Sequence, residues 1–294
     1  MKENKKTNII IDCDPGIDDA IALALAIASM DKLNILGITT VTGNQTIENV
    51  TDNALKLCKL LGADIPVARG AEKSLIRDKR VASKIHGKSG LGETEIPMPQ
   101  DKIPFPNGVK FIYDTICSLP REEKITLVPI GPLTNIAVLL KAFPEIAPRI
   151  EEICLMGGGI KMGNITPLAE FNFWADPESA KIVLDFPIKK VMAGLNVTSK
   201  TGLKRAEIEQ LMNSGSYVLN KLGEMAEFYL NSPAHNGSDL ALIHDAVAVM
   251  YLLEPELFIT QQFNVTVDTS YGDKRGSVIE NSASYENEVS VIMD

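Results

Sequence analysis

The sequence predicts an α/β fold in which an open, mostly parallel, mixed sheet is flanked by helices. Short apolar runs rich in Ile and Val alternate with longer helical runs in the first part of the chain. This alternation is typical of βαβ units. The first apolar run, "NIII", also leads directly into a turn with several aspartates. Open α/β sheets place their sites at this carboxyl edge.

Each predicted strand is a short apolar run that a helical run or a loop follows. Thr46 is a suitable N-cap for the second helix and Gly62 a suitable end, because small polar residues begin helices and glycine ends them. The strands are predicted at 8–11, 34–43, 65–70, 124–131, 151–159 and 189–197, and the first two helices at about 18–30 and 47–61.

Two segments interrupt this alternation. Residues 71–107 are rich in Gly and Pro and are predicted to form a long loop. Residues 204–253 have the pattern of successive helices, which we interpret as a helical insertion near the site at the sheet's carboxyl edge. Strand-like alternation returns after Phe258. Since there is no repeat and no linker composition, residues 1–294 are predicted to form a single domain.

Composition and charge narrow the classes of function. With 38 acidic and 29 basic residues the net charge is −9, and an acidic surface repels nucleic-acid backbones. The longest apolar stretch, residues 20–30, is too short to cross a bilayer, and no signal-peptide cleavage pattern follows the polar N-terminus. We therefore expect a cytoplasmic protein without nucleic-acid or membrane partners. We interpret the four widely spaced cysteines as buried, reduced thiols: Cys13, Cys58, Cys117 and Cys154.

The turn after the first strand places Asp12, Asp14, Asp18 and Asp19 within eight positions. One acidic residue at a helix start is explained by capping and by the helix dipole. Four carboxylates this close raise one another's pKa unless a positive charge neutralises them. Hard divalent cations such as Ca²⁺ and Mg²⁺ prefer oxygen ligands. The turn therefore predicts a metal site.

Two other segments carry polar groups that, taken alone, have ordinary structural explanations. His244 and Asp245 begin an apolar helix, where capping or packing accounts for them as well as function does. Asn164, Glu170 and Asn172 lie in a predicted loop after a glycine-rich strand end. Amides and carboxylates on a loop suit sugar hydroxyls, but they also suit ordinary turns.

Together, these segments resemble the calcium-dependent nucleoside hydrolases, the inosine–uridine-preferring ribohydrolase family. The resemblance runs from the first strand to about residue 260 through "DCDPGIDDA", "TVTGNQT", "HGKSGLG", "LVPIGPLTNIA", "LMGGG", "GNITPLAEFN", "DPESA" and "HDAVAV". It implies a Rossmann-like fold with a deep pocket, and hydrolysis of ribonucleosides to ribose and free base by a water that Ca²⁺ activates. It also implies a homodimer or homotetramer. Members usually continue past the last strand into a terminal helix, whereas this chain ends at Asp294.

The resemblance assigns metal and catalytic roles to individual residues. Asp14, Asp19, Asp245 and the backbone carbonyl of Ile130 match the Ca²⁺ ligands; the family usually has threonine in place of Ile130. Asp14 also matches the general base. The leaving base needs an acid, and His244 is the candidate because an imidazole can deliver a proton near neutral pH.

The implied substrate contacts lie in several segments. His86 matches a histidine near the base pocket and is explained equally well as a loop histidine with a backbone partner. Tyr229 and His235 are candidate base contacts in a segment that resembles a mobile flap, and Asp12 is expected to orient Asp14. The matched substrate-binding residues are Asp18, Asn44, His86, Met156, Asn164, Glu170 and Asn172.

Three alternatives compete with this interpretation. A strand followed by Asp-x-Asp also opens haloacid-dehalogenase-like phosphatases, but Gly16 stands where those enzymes need threonine or valine. A non-catalytic nucleoside-binding protein would lack Asp14 or His244, and both are present. A hydrolase of another N-riboside, such as nicotinamide riboside, would keep the same ribose and metal residues. The resemblance places His244 in the group of the family that has a histidine at this position, which includes both pyrimidine-preferring and nonspecific inosine–uridine members. We expect uridine and cytidine to be preferred, with inosine next.

Overall fold

The computed structural model describes residues 6–78, 81–235, 237–280 and 288–294. The strands of these ranges are β1 Thr7–Cys13, β2 Leu33–Thr40, β3 Val67–Arg69, β4 Ile125–Pro129, β5 Ile150–Met156, β6 Lys190–Ala193, β7 Gly202–Lys204, β8 Leu240–Leu242, β9 Thr260–Val267, β10 Val278–Glu280 and β11 Glu288–Ile292. The helices are α1 Ile17–Ala28, α2 Ile47–Leu60, α3 Ser83–His86, α4 Gly108–Ser118, α5 Thr134–Ala142, α6 Phe171–Ala175, α7 Pro177–Leu184, α8 Leu195–Thr198, α9 Arg205–Met212, α10 Tyr217–Leu230 and α11 Ala246–Leu253.

Nine strands form one sheet in the order β10-β9-β11-β6-β5-β4-β1-β2-β3. The seven strands from β11 to β3 are parallel, whereas β9 is antiparallel to both β11 and β10. The predicted mixed, mostly parallel sheet is confirmed. Strand order reverses between β1 and β4, and doubly wound sheets bind ligands at such a switch point. The aspartate turn follows β1 and therefore lies there.

Strand β1 is apolar on both faces because helices cover both sides of the sheet. Ile9 and Ile11 enter one apolar cluster with α1, α2, α10 and α11. Ile10 enters a second cluster, on the other side, with α4, α5 and α7. This split follows from the two-residue period of a strand. The helices α10 and α11, from the segment interpreted as an insertion, thus share a core with α1.

Several elements differ from the sequence-based predictions. The strand predicted at 189–197 ends at Ala193, because the chain turns at Gly194 into helix α8. The short strand β8 interrupts the predicted run of helices at 204–253, and α3 lies inside the predicted loop 71–107. Cys117 is exposed, whereas the other three cysteines are buried as expected. In the described part of the chain, no helix is both long and apolar enough to span a bilayer.

The hairpin of β9 and β10 holds the loop that follows β5. Val278 forms a bridge with Ile160, and Ser277 forms one with Ala169. The turn of this hairpin is fixed by Arg275, which is buried, forms an ion pair with Glu178 of α7 and donates to the carbonyl of Thr269. The far end of the sheet therefore supports the residues 160–170.

We expect Arg275→Ala to lower the free energy of unfolding by about 3 kcal/mol, because it removes a buried guanidinium and leaves the largely enclosed Glu178 carboxylate without its partner. Urea denaturation measures this change. The matched control is Arg205→Ala, which breaks an exposed ion pair with Asp239 and should cost less than about 1 kcal/mol. Equal losses for the two variants would contradict a structural role for the buried pair.

Candidate active site

The aspartate turn is closed by the side chain of Asp19. Its Oδ1 accepts from the backbone N–H of Asp14 at 3.1 Å, and its Oδ2 accepts from the N–H of Gly16 at 2.9 Å. The second bond satisfies a free donor at the start of α1. Capping thus fixes the carboxylate of Asp19, whereas the carboxylates of Asp14 and Asp18 are available to the site.

Three carboxylates from two distant segments converge beside this turn. Oxygens of Asp18, Asp19 and Asp245 lie within 4.8 Å of one another, and all three residues are buried. Asp245 is the residue before α11 and lies more than two hundred positions later in the chain than Asp18 and Asp19. Burial and then repulsion from neighbouring carboxylates raise the pKa of Asp18 and of Asp245. Such a cluster holds its negative charge only when a cation neutralises it.

Free acceptor atoms show that these residues fit a hard cation. Asp14 Oδ1 and Asp18 Oδ1 are buried and have no hydrogen-bond partner among the described residues. Buried carboxylate oxygens without a partner are costly, and a divalent ion bound by oxygens would satisfy them. The compact group includes the predicted ligands Asp19 and Asp245 together with Asp18, and Asp14 is outside it.

The carboxylate of Asp14 is held in a narrow slot. Its Oδ2 accepts from the backbone N–H of Asn44 at 2.5 Å. A Cβ atom on Gly43 would lie 2.0 Å from Oδ2, and one on Gly131 would lie 2.5 Å from Oδ1. These two glycines therefore leave the space that the carboxylate occupies. Asn44 also donates from its side chain to Asp19 Oδ2 at 2.9 Å, which ties the loop after β2 to the turn.

The side of the site opposite the Asp14 slot is formed by the segment that follows β5. Asn172 donates to the carbonyls of Ile130 at 3.0 Å and of Met156 at 3.3 Å. Glu170 caps α6 by accepting from the N–H groups of Asn172 and Phe173, and burial raises its pKa to about 7. The structure thus gathers Ile130, Met156, Glu170 and Asn172 as predicted neighbours.

Asn164 differs from the other predicted substrate residues because it is exposed. Its Oδ1 accepts from the N–H of Phe171 at 2.9 Å. The amide therefore links the two ends of the 164–171 loop.

Three rings form a buried group over the carboxylates. His86 Nδ1 accepts from the backbone N–H of Ile17 at 3.1 Å, and its ring stacks on Tyr229 with centroids 5.3 Å apart. His235 meets the same tyrosine edge-on at 4.5 Å. Burial lowers the pKa of His86 to about 3. Burial, together with the charge of Asp18, raises the pKa of Tyr229. Burial also lowers the pKa of His235, so the neutral form is favoured for all three rings at pH 7.

His244 lies next to the carboxylate cluster and has a partner that the sequence did not reveal. Its Nδ1 is 2.9 Å from Thr198 Oγ1, at the end of α8 and one position beyond the segment predicted as a strand. Burial is the main cause that lowers the pKa of His244 to about 4. His244 is therefore a neutral imidazole at pH 7.

Asp12 lies behind the turn and is also buried. Its Oδ1 accepts from Thr39 Oγ1 at 2.5 Å and from Asn135 Nδ2 at 2.7 Å. Burial raises its pKa to about 7. Asn135 also donates to the carbonyl of Thr40 at 2.9 Å. This amide was not singled out in the sequence, because "PLTNIA" gives no sign of a partner 123 positions away.

The site is closed over in this structure. Asp14 is 1% exposed and Asp245 3%. Cavities of about 640 Å³ and 370 Å³ lie elsewhere: the larger is between residues 92–95 and α10, and the smaller is at the amino edge of β1.

Comparisons with known proteins agree with this geometry. The profile of the family described as inosine-uridine preferring nucleoside hydrolase matches residues 9–294. The chain is 38% identical over 276 residues to the pyrimidine-specific ribonucleoside hydrolase RihB of Shigella sonnei (strain Ss046), covering 94% of this chain and 87% of that protein. It is 42% identical over 264 residues to the pyrimidine-specific ribonucleoside hydrolase RihA of Escherichia coli (strain SMS-3-5 / SECEC), covering 89% and 84%.

Solved structures give the same result. The purine-preferring ribonucleoside hydrolase from Gardnerella vaginalis superposes with a TM-score of 0.90 at 31% identity, covering 98% of this chain and 93% of that one. An inosine-guanosine nucleoside hydrolase gives 0.87 at 26% identity, covering 98% and 94%. The resemblance and the fold predicted from the sequence are thus confirmed. The chain belongs to the inosine-uridine preferring nucleoside hydrolase family and is a nucleoside N-ribohydrolase.

Proposed function

We propose that this enzyme hydrolyses pyrimidine ribonucleosides, with uridine and cytidine ahead of inosine. The observation that carries the proposal is the identity of 38–42%, over about nine tenths of the chain, to two hydrolases named as pyrimidine-specific. The purine-preferring enzyme of known structure is 31% identical. The neutral rings around the site, discussed below, favour the same substrates.

The metal that we propose is Ca²⁺. Asp14, Asp19, Asp245 and the carbonyl of Ile130 would hold it, and the partnerless Oδ1 atoms of Asp14 and Asp18 support an all-oxygen site. When bound, Ca²⁺ would keep the carboxylates ionised and lower the pKa of the attacking water. Ile130 would contribute only its backbone, so the usual threonine is not required.

Asp14 is the proposed general base. One of its oxygens is fixed by the Asn44 N–H, whereas Oδ1 is free to accept a proton. The slot between Gly43 and Gly131 limits rotation of the carboxylate. A base held in one orientation is expected to contribute more to catalysis than a mobile one.

The remaining carboxylates and amides would hold the ribose. Hydrolysis passes through a sugar with oxocarbenium character, which negative groups stabilise. Asp18 and Glu170 are the buried carboxylates that lie beside this proposed ribose position. The other proposed ribose and pocket contacts are Asn44, Met156, Asn164 and Asn172.

The base would lie against His86, Tyr229, His235 and His244. Because His86 Nδ1 accepts a backbone N–H, its own proton is on Nε2, where it can donate. A uracil that leaves as an anion carries its charge on carbonyl oxygens, and neutral N–H donors stabilise these. A departing purine needs a proton on a ring nitrogen, which a histidine with a pKa of about 4 supplies less readily at neutral pH. Neutral rings therefore favour pyrimidines.

We also propose that the enzyme is a cytoplasmic homodimer or homotetramer. The four free cysteines suit a reducing compartment. Light scattering on the purified protein measures the assembly, and a monomer would refute that part of the proposal; fractionation of cells tests the location.

We expect Ca²⁺ at one hundred times its Kd to raise the free energy of unfolding by about 2.7 kcal/mol, and EGTA to reverse this and abolish turnover. Asp245→Asn should remove the Ca²⁺ effect and stabilise the metal-free protein, because it relieves repulsion among buried carboxylates. Denaturation with and without Ca²⁺ measures both. The control, Asp64→Asn, changes an exposed carboxylate. A Ca²⁺ response unchanged by Asp245→Asn would exclude this site.

We expect kcat/KM to rank uridine and cytidine above inosine and adenosine, and 2′-deoxyuridine far below uridine because a ribose hydroxyl is lost. Asp14→Asn should reduce uridine turnover by about 10²–10⁴-fold. Steady-state assays of base release measure these values. Faster cleavage of inosine would refute the pyrimidine preference. Cleavage of nicotinamide riboside alone would point to another N-riboside.

We expect His244→Gln to reduce inosine cleavage most, by about 10²-fold or more, because a purine depends most on proton donation. Uridine should lose less, and p-nitrophenyl riboside, whose leaving group needs no proton, should lose least. Parallel kcat measurements on the three substrates test this order. An equal loss on all three would exclude His244 as the acid.

A further inference from the structure

Three amide side chains lie along one face of α2 and its N-terminal turn. Gln45, Asn49 and Asn53 are spaced four residues apart, so they point in one direction from a helix. They donate to three successive carbonyls of the 87–89 loop: Gln45 at 2.8 Å, Asn49 at 3.2 Å and Asn53 at 2.8 Å. We call Gln45, Asn49 and Asn53 the amide clamp.

The loop that the clamp holds has an irregular backbone. Gly87, Gly90 and Gly92 have φ values of +77°, +92° and +61°, and Glu93 also has +61°. Glycine adopts such angles readily, and other residues seldom do. Residues 87–89 lie between α3 and α4, outside the described strands and helices, so their carbonyls need hydrogen-bond donors from elsewhere. Side-chain donors from α2 therefore fix the path of the loop.

The clamp also reaches the aspartate turn. The Asn53 side chain is buried and donates both to the carbonyl of Ser89 and, at 3.0 Å, to the carbonyl of Pro15. Gln45 follows Asn44, which binds Asp14 and Asp19. One short segment of chain thus contacts the carboxylates on one side and the loop on the other.

His86 immediately precedes the clamped carbonyls. Its ring is oriented by the N–H of Ile17 on one side and by Tyr229 on the other. A shift of the Gly87 backbone would move the ring relative to both. The position of the ring therefore depends on side chains that do not touch it.

We propose that the amide clamp is a set of positioning residues that fixes the His86 ring against the nucleobase and holds it in register with the aspartate turn. This inference rests on the proposed function for the role of His86. Losing a clamp amide should weaken the base-dependent part of transition-state binding. Ribose and metal contacts, which the three clamp amides do not make themselves, should be preserved.

The test compares Asn53→Ala and the milder Asn49→Ala with the control Asp52→Asn, an exposed change on the same helix. We expect the two clamp variants to lower kcat/KM for uridine by about 10–100-fold and for p-nitrophenyl riboside by less than about twofold. In a His86→Ala background, the same changes should have almost no further effect, because residues that act through one another are not additive.

A second readout needs no turnover. The chain has three histidines, so ¹⁵N spectra can be assigned with His86→Ala. Wild-type His86 should show an unprotonated Nδ1 and a protonated Nε2, and the clamp variants should shift both signals towards those of a mixture of tautomers. If the wild type cleaves no ribonucleoside, the proposed function fails while this spectrum still tests the clamp.

Two results would overturn the inference. One is an unchanged His86 spectrum in both clamp variants. The other is a loss of turnover that is equal for uridine and p-nitrophenyl riboside, or that adds to the loss in His86→Ala. Either result would show that the amide clamp supports the fold and does not position His86.

Discussion

The burial of five aspartates at one edge of the sheet is the constraint on which the rest of the structure depends. Taking a carboxylate out of water costs several kcal/mol unless charge or hydrogen bonds compensate it. Backbone and side-chain groups donate to one or both oxygens of Asp12, Asp14 and Asp19, whereas one oxygen each of Asp12, Asp14 and Asp18 has no partner among the described residues. The enzyme therefore satisfies some carboxylate oxygens with its own hydrogen-bond donors and leaves other oxygens in need of a cation. The same residue type thus serves both to fix the turn and to form a candidate metal site.

The topology makes this arrangement possible. Since β1 lies between β2 and β4, the turns after all three strands meet at the switch point. Asn44 follows β2, and Gly131 follows β4. Each turn supplies either a donor or the space that Asp14 requires. Asp245 immediately precedes α11, and α11 packs against α1 in one apolar cluster. The site is thus assembled by the sheet and by helix packing together.

The features that sequence predicted well are local ones. Continuous apolar runs indicated the buried strands, and the aspartates after β1 indicated a polar site at the carboxyl edge. Features that depend on distant contacts were missed: Thr198 beside His244, Asn135 beside Asp12, and the inclusion of Asp18 in the compact carboxylate group. The strand predicted through 197 failed because its apolar residues continue past Gly194 into a short helix. An apolar run alone does not distinguish these two cases.

The position of β11 has a consequence for biosynthesis. Although it is the last strand in chain order, it lies inside the sheet, between β6 and β9. Among the described strands, the hairpin that supports residues 160–170 pairs with the parallel strands through β11. During translation, domains form as their residues emerge from the ribosome. The nascent chain can therefore build the aspartate turn early, whereas the hairpin that supports the loop carrying Glu170 pairs with the parallel strands later, once β11 has left the exit tunnel.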